Sequence, residues 1–350
     1  MLQLGSILHS QGFSVKVAHT EFNTPNYSSH TEFVFLPMED GLQGIDMSFP
    51  SLENVYFMNK NCKMLDPLPE LHSLRCKDVP FPVINNTFPE LILEFCRAMS
   101  YIGSSIATIW NTMQDLENSL LVLQEHDKVP FFPIGPFHKM APMASSTSII
   151  EEDNSCIEWL DRQAPGSVLY VSFGSLVRID DKELTETAWG LANSDQPFLW
   201  VIRPGSVSGC QCAESLPDGF EKMVVERGLI VKWAPQKQVL AHPAVAGFFT
   251  HCGWNSTLES ILEEVPLICR PAIADQPVNA RYLSQIYKVG FELEVIERTV
   301  IEKTVRKLML SEEGKDLKKR ALPSQLALPT PVVGAIMSSN HIQSKCIIES

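Results

Sequence analysis

The sequence predicts an α/β protein with a parallel sheet in its second half, and three observations lead there. Short apolar runs recur after residue 160. Stretches with helical spacing lie between most of them. The chain has 350 residues, a length comfortable for two domains. Strands that alternate with helices are joined by crossovers, and this gives a parallel sheet covered on both faces.

The elements follow in order. Leu2, Leu4, Ile7 and Leu8 are spaced as on a helix that ends at Gln11-Gly12, and Phe13–Ala18 is a β-rich run. Helix then strand is the second half of a β-α-β unit, so the expectation is a chain that starts after that unit's first strand, with an unpaired sheet edge as the consequence. Residues 20–90 are rich in Pro, Asn and Ser and predict no sheet. Some order returns at Ala107–Asn111 and in the helix-like Leu116–Gln124, and Pro130–Pro136 then leads into the next segment. The Met/Ala/Ser/Pro segment Met140–Ser148 reads as a linker.

Beyond it strands are predicted at Val168–Ser172, Phe198–Ile202, Leu229–Val231, Gly247–Thr250, Pro266–Cys269 and Gly290–Leu293. Helices are predicted at Asp181–Ala192, Thr257–Glu263, Val278–Tyr287 and Arg298–Leu310. The boundaries are a first domain over 1–138, a linker over 139–154, a second domain over 155–321 and an irregular tail over 322–350.

Composition narrows the function. The chain is 45% hydrophobic and 20% charged, with mean hydropathy near zero, as in soluble globular proteins. A net charge of −13 argues against nucleic acids and anionic membranes as partners, since both need a positive field. The nine cysteines are scattered, with Cys210 and Cys212 the only close pair, and they read as reduced thiols of a cytoplasmic protein. No apolar run reaches the roughly 20 residues of a membrane span, and the first residues do not read as a signal peptide. A sequon at Asn86 would matter only in a secreted protein.

Three strand-to-loop junctions carry the candidate chemistry, because ligands of such sheets bind at the carboxyl ends of the strands. In Val171-Ser172-Phe173-Gly174-Ser175 a glycine lets the backbone approach a ligand and Ser175 offers a hydroxyl; a plain turn explains it equally well. In Trp233-Ala234-Pro235-Gln236 an indole that could stack on a flat base stands beside an amide that could read its edge, although a lone Trp more often packs on its own domain. In Phe249–Glu259 a strand runs through Gly253 into a helix whose N-terminus favours a phosphate. His251, Asn255 and Ser256 add donors there. Ser256 and Glu259 also fit a capping box, which needs no ligand; Trp254 and His251 are not explained that way. Asp275 and Gln276 offer groups that bind sugar hydroxyls, or form an ordinary solvated loop. His251-Cys252 has no second close pair, so no metal is expected. No GxGxxG follows a strand, which counts against a nicotinamide enzyme.

Together, WAPQxxVLxH, HCGWNSxxE, VPLICRP and DQ fall in order over Trp233–Gln276, and this closely resembles the signature box of plant UDP-glycosyltransferases. SCIEWLDRQAPGSVLYVSFGS, QPFLWVIRPGS and LPDGFEKMVVERGLIVKWAPQ extend the likeness, which covers about Asp115 to Ala321. It implies two facing Rossmann-like domains of GT-B type, with residues 1–138 on the acceptor side and incomplete, and 155–321 holding the UDP-sugar. In the family pattern Trp233 stacks on uracil with Gln236 alongside, and Glu259 holds the ribose. His251, Asn255, Ser256 and Ser175 hold the diphosphate, while Trp254, Asp275 and Gln276 bind the sugar.

The implied reaction is inverting, metal-independent transfer of a hexose to a hydroxyl of a small plant metabolite such as a flavonoid, terpenoid or hormone. UDP-glucose is the expected donor substrate, with no cofactor. Neutral donors and a helix N-terminus can stabilise the charge that develops on UDP. Activating the acceptor needs a general base, which in the family is a His oriented by an Asp. The expectation is that both are absent: the chain begins after the His position, Leu42–Leu68 skips the Asp segment, His9 and His19 do not match, and Asp78 and Asp115 lie in other contexts. Glu264 stands where a Gly is usual, and Pro-rich sequence replaces the closing helix after Ala321. The alternative expectation is therefore a catalytically impaired UDP- or UDP-sugar-binding protein, or a truncated gene product lacking the general base.

Overall fold

The computed structural model describes residues 2–20, 31–38, 74–78, 108–113, 116, 131–140, 151–207 and 216–321. Most of the expected Leu116–Gln124 helix, most of the Met140–Ser148 linker, the Leu42–Leu68 junction, Asn86, Asp115, the Cys210/Cys212 pair and the 322–350 tail lie outside the described residues. The chain forms two compact units. One comprises Met1–Glu39, Glu94–Thr147 and Pro323–Ser350, the other Asp40–Leu93 and Ser148–Leu322.

In the first unit, helix α1 (Leu2–Ser10) precedes β1 (Lys16–Thr20), which pairs in parallel with β2 (Val34–Met38). The strand starts three residues later than the apolar run that begins at Phe13. A second parallel pair joins β3 (Thr108–Trp110) to β4 (Phe131–Pro133), followed by a single helical turn, α2 (Phe137–Met140). Ile7, Ile134 and Phe137 form a small buried cluster here, with Leu4, Ile109, Phe132 and Met140 packed on it.

The second unit is built on one six-stranded parallel sheet. Its strands are β5 (Val168–Ser172), β6 (Phe198–Val201), β7 (Gly228–Val231), β8 (Val245–Thr250), β9 (Leu267–Cys269) and β10 (Gly290–Glu292), in the spatial order β10-β9-β8-β5-β6-β7. Every pairing is parallel. The central strands are buried on both faces, which is why Val168-Leu169-Tyr170-Val171 reads as a continuous apolar run rather than an alternating one. The chain moves outward from β5 through β6 to β7, then returns to lay β8 against the other side of β5. Two adjacent crossovers therefore leave in opposite directions, and the carboxyl ends of β5 and β8 form the topological switch point.

The covering helices are α3 (Ser155–Asp161), α4 (Asp181–Ser194), α5 (Phe220–Val224), α6 (Gln236–Leu240), α7 (Trp254–Leu262), α8 (Gln276–Arg281), α9 (Arg298–Leu310) and α10 (Glu312–Arg320). Helix α4 starts where the Asp180 carboxylate accepts from the Glu183 N–H at 2.7 Å, an N-cap that satisfies a helix-end donor. It packs on α9 through a glycine. A Cβ on Gly190 would stand 2.6 Å from Cβ of Ile301, so only a glycine permits this approach.

Several expectations shift: β2 stands within residues 20–90, where no sheet was predicted, β8 starts at Val245 rather than Gly247, and helices α3, α5 and α6 were not predicted. The predicted Val278–Tyr287 helix begins at Gln276 and changes at Tyr282 into a π-helical segment, Tyr282–Ile286. The 254–262 helix begins before Thr257, with Gly253 as its N-cap. Helix α10 was not expected, because its polar sequence carries no apolar period. Among the described residues no helix is long and apolar enough to cross a membrane, and no cluster of His, Cys, Asp or Glu could hold a metal ion.

Candidate functional site

The site residues gather at the carboxyl ends of β5, β7, β8 and β9. After β5 the chain turns through Gly174 at φ +74°, a left-handed conformation that favours glycine. Ser175 beyond it is exposed. After β8 comes His251, and its imidazole fills the space that the two glycines leave. A Cβ on Gly174 would stand 2.5 Å from Cε1 and Nε2 of His251, and a Cβ on Gly253 2.5 Å from Nε2. The two glycines therefore set the ring's position by close approach rather than by flexibility.

His251 is held neutral. Burial, then the nearby positive charge of Arg270, push its pKa down to about 4, against a smaller opposing effect of the Ser172 backbone. Its Nδ1 atom is buried and has no hydrogen-bond partner among the described residues. A buried polar atom without a partner is costly in a folded chain; the Nε2 edge of the same ring is the one that faces Gly253 at the helix N-terminus. A neutral imidazole can donate one hydrogen bond to an anion without carrying a charge of its own.

Cys252, next in sequence, adopts φ +64°, unusual for a residue with a side chain. Surrounding bonds hold it there. Its N–H donates to Thr250 Oγ1 at 3.2 Å, and its carbonyl accepts from Asn279 Nδ2 at 3.0 Å. The twist delivers the chain to the start of α7, whose N-cap Gly253 makes no side-chain cap bond. Trp254 is half-buried and Asn255 exposed on the first turn.

The capping-box reading of Ser256 and Glu259 is corrected. Both lie inside α7, and both face Gln236 instead. The Gln236 amide donates to Ser256 Oγ at 3.0 Å and to Glu259 Oε2 at 2.7 Å, while its oxygen lies 3.4 Å from the Tyr170 hydroxyl. The amide expected to read a base edge is thus committed within the protein, where it aims Glu259. Burial raises the Glu259 pKa, and the Gln236 bond and Lys237 oppose that rise. Trp233, three residues earlier, is half-buried, and its carbonyl accepts from the Asp153 N–H at 3.0 Å.

After β9 the chain passes Ala274 at φ +54° into α8. Gln276 is buried, and its side-chain oxygen accepts from the N–H groups of Ala272 and Ile273 at 2.9 and 3.0 Å. Asp275 is exposed and accepts from Asn279 at 2.8 Å. Gln276 therefore shapes the turn that presents Asp275.

Several contributors escaped the sequence reading: Tyr170, Asn279, Arg270, and the steric role of Gly174 and Gly253. The glycines and Arg270 stood inside quoted motifs, but nothing in one dimension says what they touch. Of the residues weighed for acceptor activation, His9 is exposed at the end of α1 with its ring edge-on to Phe33, and His19 lies on β1. Asp78 is buried against Arg75.

The chain is similar to known proteins in sequence and fold. A family described as UDP-glucoronosyl and UDP-glucosyl transferase matches residues 91–315. UDP-glycosyltransferase 76E1 of Solanum lycopersicum is 66% identical over 453 aligned positions, covering 100% of this chain and 95% of the relative. The alignment exceeds the 350 residues of this chain, so the relative carries internal stretches with no counterpart here. Flavonol 3-O-glucosyltransferase UGT76E12 of Arabidopsis thaliana is 47% identical over 279 residues, covering 79% of this chain and 60% of the relative. Among solved structures, Phytolacca americana UGT2 complexed with UDP-2fluoro-glucose and pterostilbene matches with a TM-score of 0.62 at 30% identity, over 91% of this chain and 67% of that one. The parallel α/β architecture and these likenesses agree on the GT-B fold class.

Proposed function

The chain belongs to the UDP-glucoronosyl and UDP-glucosyl transferase family, and we propose that its donor is UDP-glucose and its acceptor a hydroxyl of a small plant metabolite such as a flavonoid, terpenoid or hormone. As a glycosyltransferase it moves a sugar from a UDP-sugar. The observation that carries the UDP-binding part of this reading is the setting of His251: neutral, wedged between Gly174 and Gly253, and beside the N-terminus of α7 at the switch point; the glucose and acceptor assignments rest on the family resemblance of the Trp233–Gln276 box.

Each residue then has a task. Trp233 offers its indole to the uracil, and Glu259, aimed by Gln236, accepts from the ribose hydroxyls. His251, Ser175, Asn255, Ser256 and the α7 N-terminus meet the diphosphate, so negative charge developing on the leaving UDP is met by preorganised donors. Trp254, Asp275 and Gln276 border the sugar, with Asp275 accepting from its hydroxyls. Residues 155–321 form the donor-binding domain in this reading, residues 1–138 the acceptor side, 139–154 the linker between them and 322–350 a tail. The protein works in the cytoplasm.

The test is a UDP-release assay with UDP-glucose, UDP-galactose and UDP-glucuronate against a panel of hydroxylated flavonoids, terpenoids and hormones. UDP release and a glucoside product with UDP-glucose, and little with the other two donors, is the expected outcome. Equal use of all three donors would remove the glucose assignment. Glycoside formation only on acceptors outside the panel would remove the acceptor class.

A further inference from the structure

We propose that Arg270 is a positioning residue of the diphosphate site: its guanidinium, tied to Glu183 and laid over the Phe173 ring, holds the Phe173-Gly174-Ser175 turn against His251. The inference rests on the reading of Ser175 and His251 as diphosphate contacts.

Arg270 immediately follows β9, and its N–H donates to the Thr250 carbonyl at 2.8 Å, next to His251. Its side chain is buried and forms an ion pair with Glu183 in the first turn of α4. The guanidinium carbon lies 5.4 Å from the Phe173 ring centroid, the geometry of a cation–π contact. Phe173 in turn meets Phe249 edge-on at 5.2 Å. A line of contacts therefore runs from Glu183 through Arg270 to Phe173. From there one peptide bond leads to Gly174, the residue that abuts the His251 ring.

Two facts separate this arrangement from simple core packing. A buried ion pair is a poor source of net stability, since desolvation offsets most of the attraction, and an apolar pair of similar volume would serve the fold as well. Moreover, Nη1 of Arg270 and Nδ1 of His251 are both buried without a hydrogen-bond partner among the described residues. Phe173 touches one of these residues and Gly174 the other, so both unsatisfied atoms belong to neighbours of the same dipeptide. The guanidinium supplies what this site needs, a flat rigid plate fixed at one edge by a carboxylate, which a lysine cannot reproduce.

The experiment compares UDP with uridine in calorimetric titration of the full chain and its variants. Uridine lacks the diphosphate, so it reports the base and ribose contacts alone. Arg270→Met would leave Glu183 buried and unpaired, so the Glu183→Gln/Arg270→Met double variant is measured beside it, with Arg270→Lys as the conservative change. The expected result is a loss of about tenfold or more in UDP affinity in the double variant, because small displacements of positioning groups are expensive. Uridine affinity should be unchanged, and Arg270→Lys should recover part of the loss. A folded double variant that binds UDP as tightly as the parent, or that loses UDP and uridine affinity equally, overturns the positioning role. A parent chain that binds neither ligand fails earlier, at the donor-site reading, and takes this inference with it.

Discussion

The Gln236 amide donates to Glu259 at 2.7 Å, across 23 positions of sequence, and so links the start of helix α6 to the middle of helix α7. The bond keeps a buried carboxylate aimed, and without it Glu259 has lost a charge-assisted partner. Gln236→Leu is expected to destabilise the fold by about 1–3 kcal/mol and to weaken uridine binding. Urea unfolding and uridine calorimetry measure the two effects. An unchanged uridine affinity would remove Glu259 from the ribose site.

Gly174 and Gly253 each leave room for His251. Alanine at position 174 must adopt a left-handed backbone and displace the imidazole; at position 253 the steric conflict stands alone. Both variants should lose UDP affinity, and Gly174→Ala should also be less stable by about 1 kcal/mol or more from backbone strain. Parental UDP affinity in both variants would show that the ring position does not matter to the ligand.

The pKa of His251 in the folded protein is about 4, below its ordinary 6.5. Between those values the unfolded chain binds a proton that the folded chain refuses, so stability rises with pH across this window and falls as the solution is acidified through it. The shift corresponds to about 3 kcal/mol at most. Glu259, with its pKa raised, acts in the opposite sense above pH 4.5, so the test is a difference. Thermal melts from pH 7 to pH 4 should show a shallower decline in His251→Asn than in the parent. Parallel curves would mean that His251 is not held neutral.

Asp78 sits in a cluster of charges that joins residues 74–78 to β10 and α8. Arg75 bonds it with both Nε and Nη2 and reaches Glu292 at 2.6 Å, while Arg281 approaches it to 3.9 Å. Asp78 and Glu292 together push the Arg75 pKa upward against its burial. Removing one member of a buried ion pair strands the other, so Asp78→Ala should cost about 3–5 kcal/mol. Chemical denaturation reads this as a lower midpoint at unchanged slope. A loss below 1 kcal/mol would mean that solvent screens the cluster.

Much of the second unit was legible in one dimension. Val168–Ser172 and Arg298–Leu310 stand in the structure with the predicted ends, because a doubly buried strand and an amphipathic helix carry their burial in their apolar spacing. Helix α10 was missed although its signals were local: Ser311 caps it, with Glu312 and Glu313 in the first turn and Lys318, Lys319 and Arg320 in the last. The start of α7 was misplaced because Ser256 and Glu259 imitate a capping box, and only a partner 20 residues away in sequence shows what they bind.

The sequence by itself determined the parallel α/β architecture of the second unit and the segments that supply its candidate site, since strand burial, helical period and loop chemistry are local properties of the chain. Tertiary structure alone decided how those segments meet: His251 wedged between two glycines, Gln236 turned inward to Glu259, and Arg270 laid over Phe173. Those relationships depend on the order in which strands cross in the sheet, which brings together residues far apart in the chain. The field and the close contacts that make His251 a neutral donor arise only after that crossing is made.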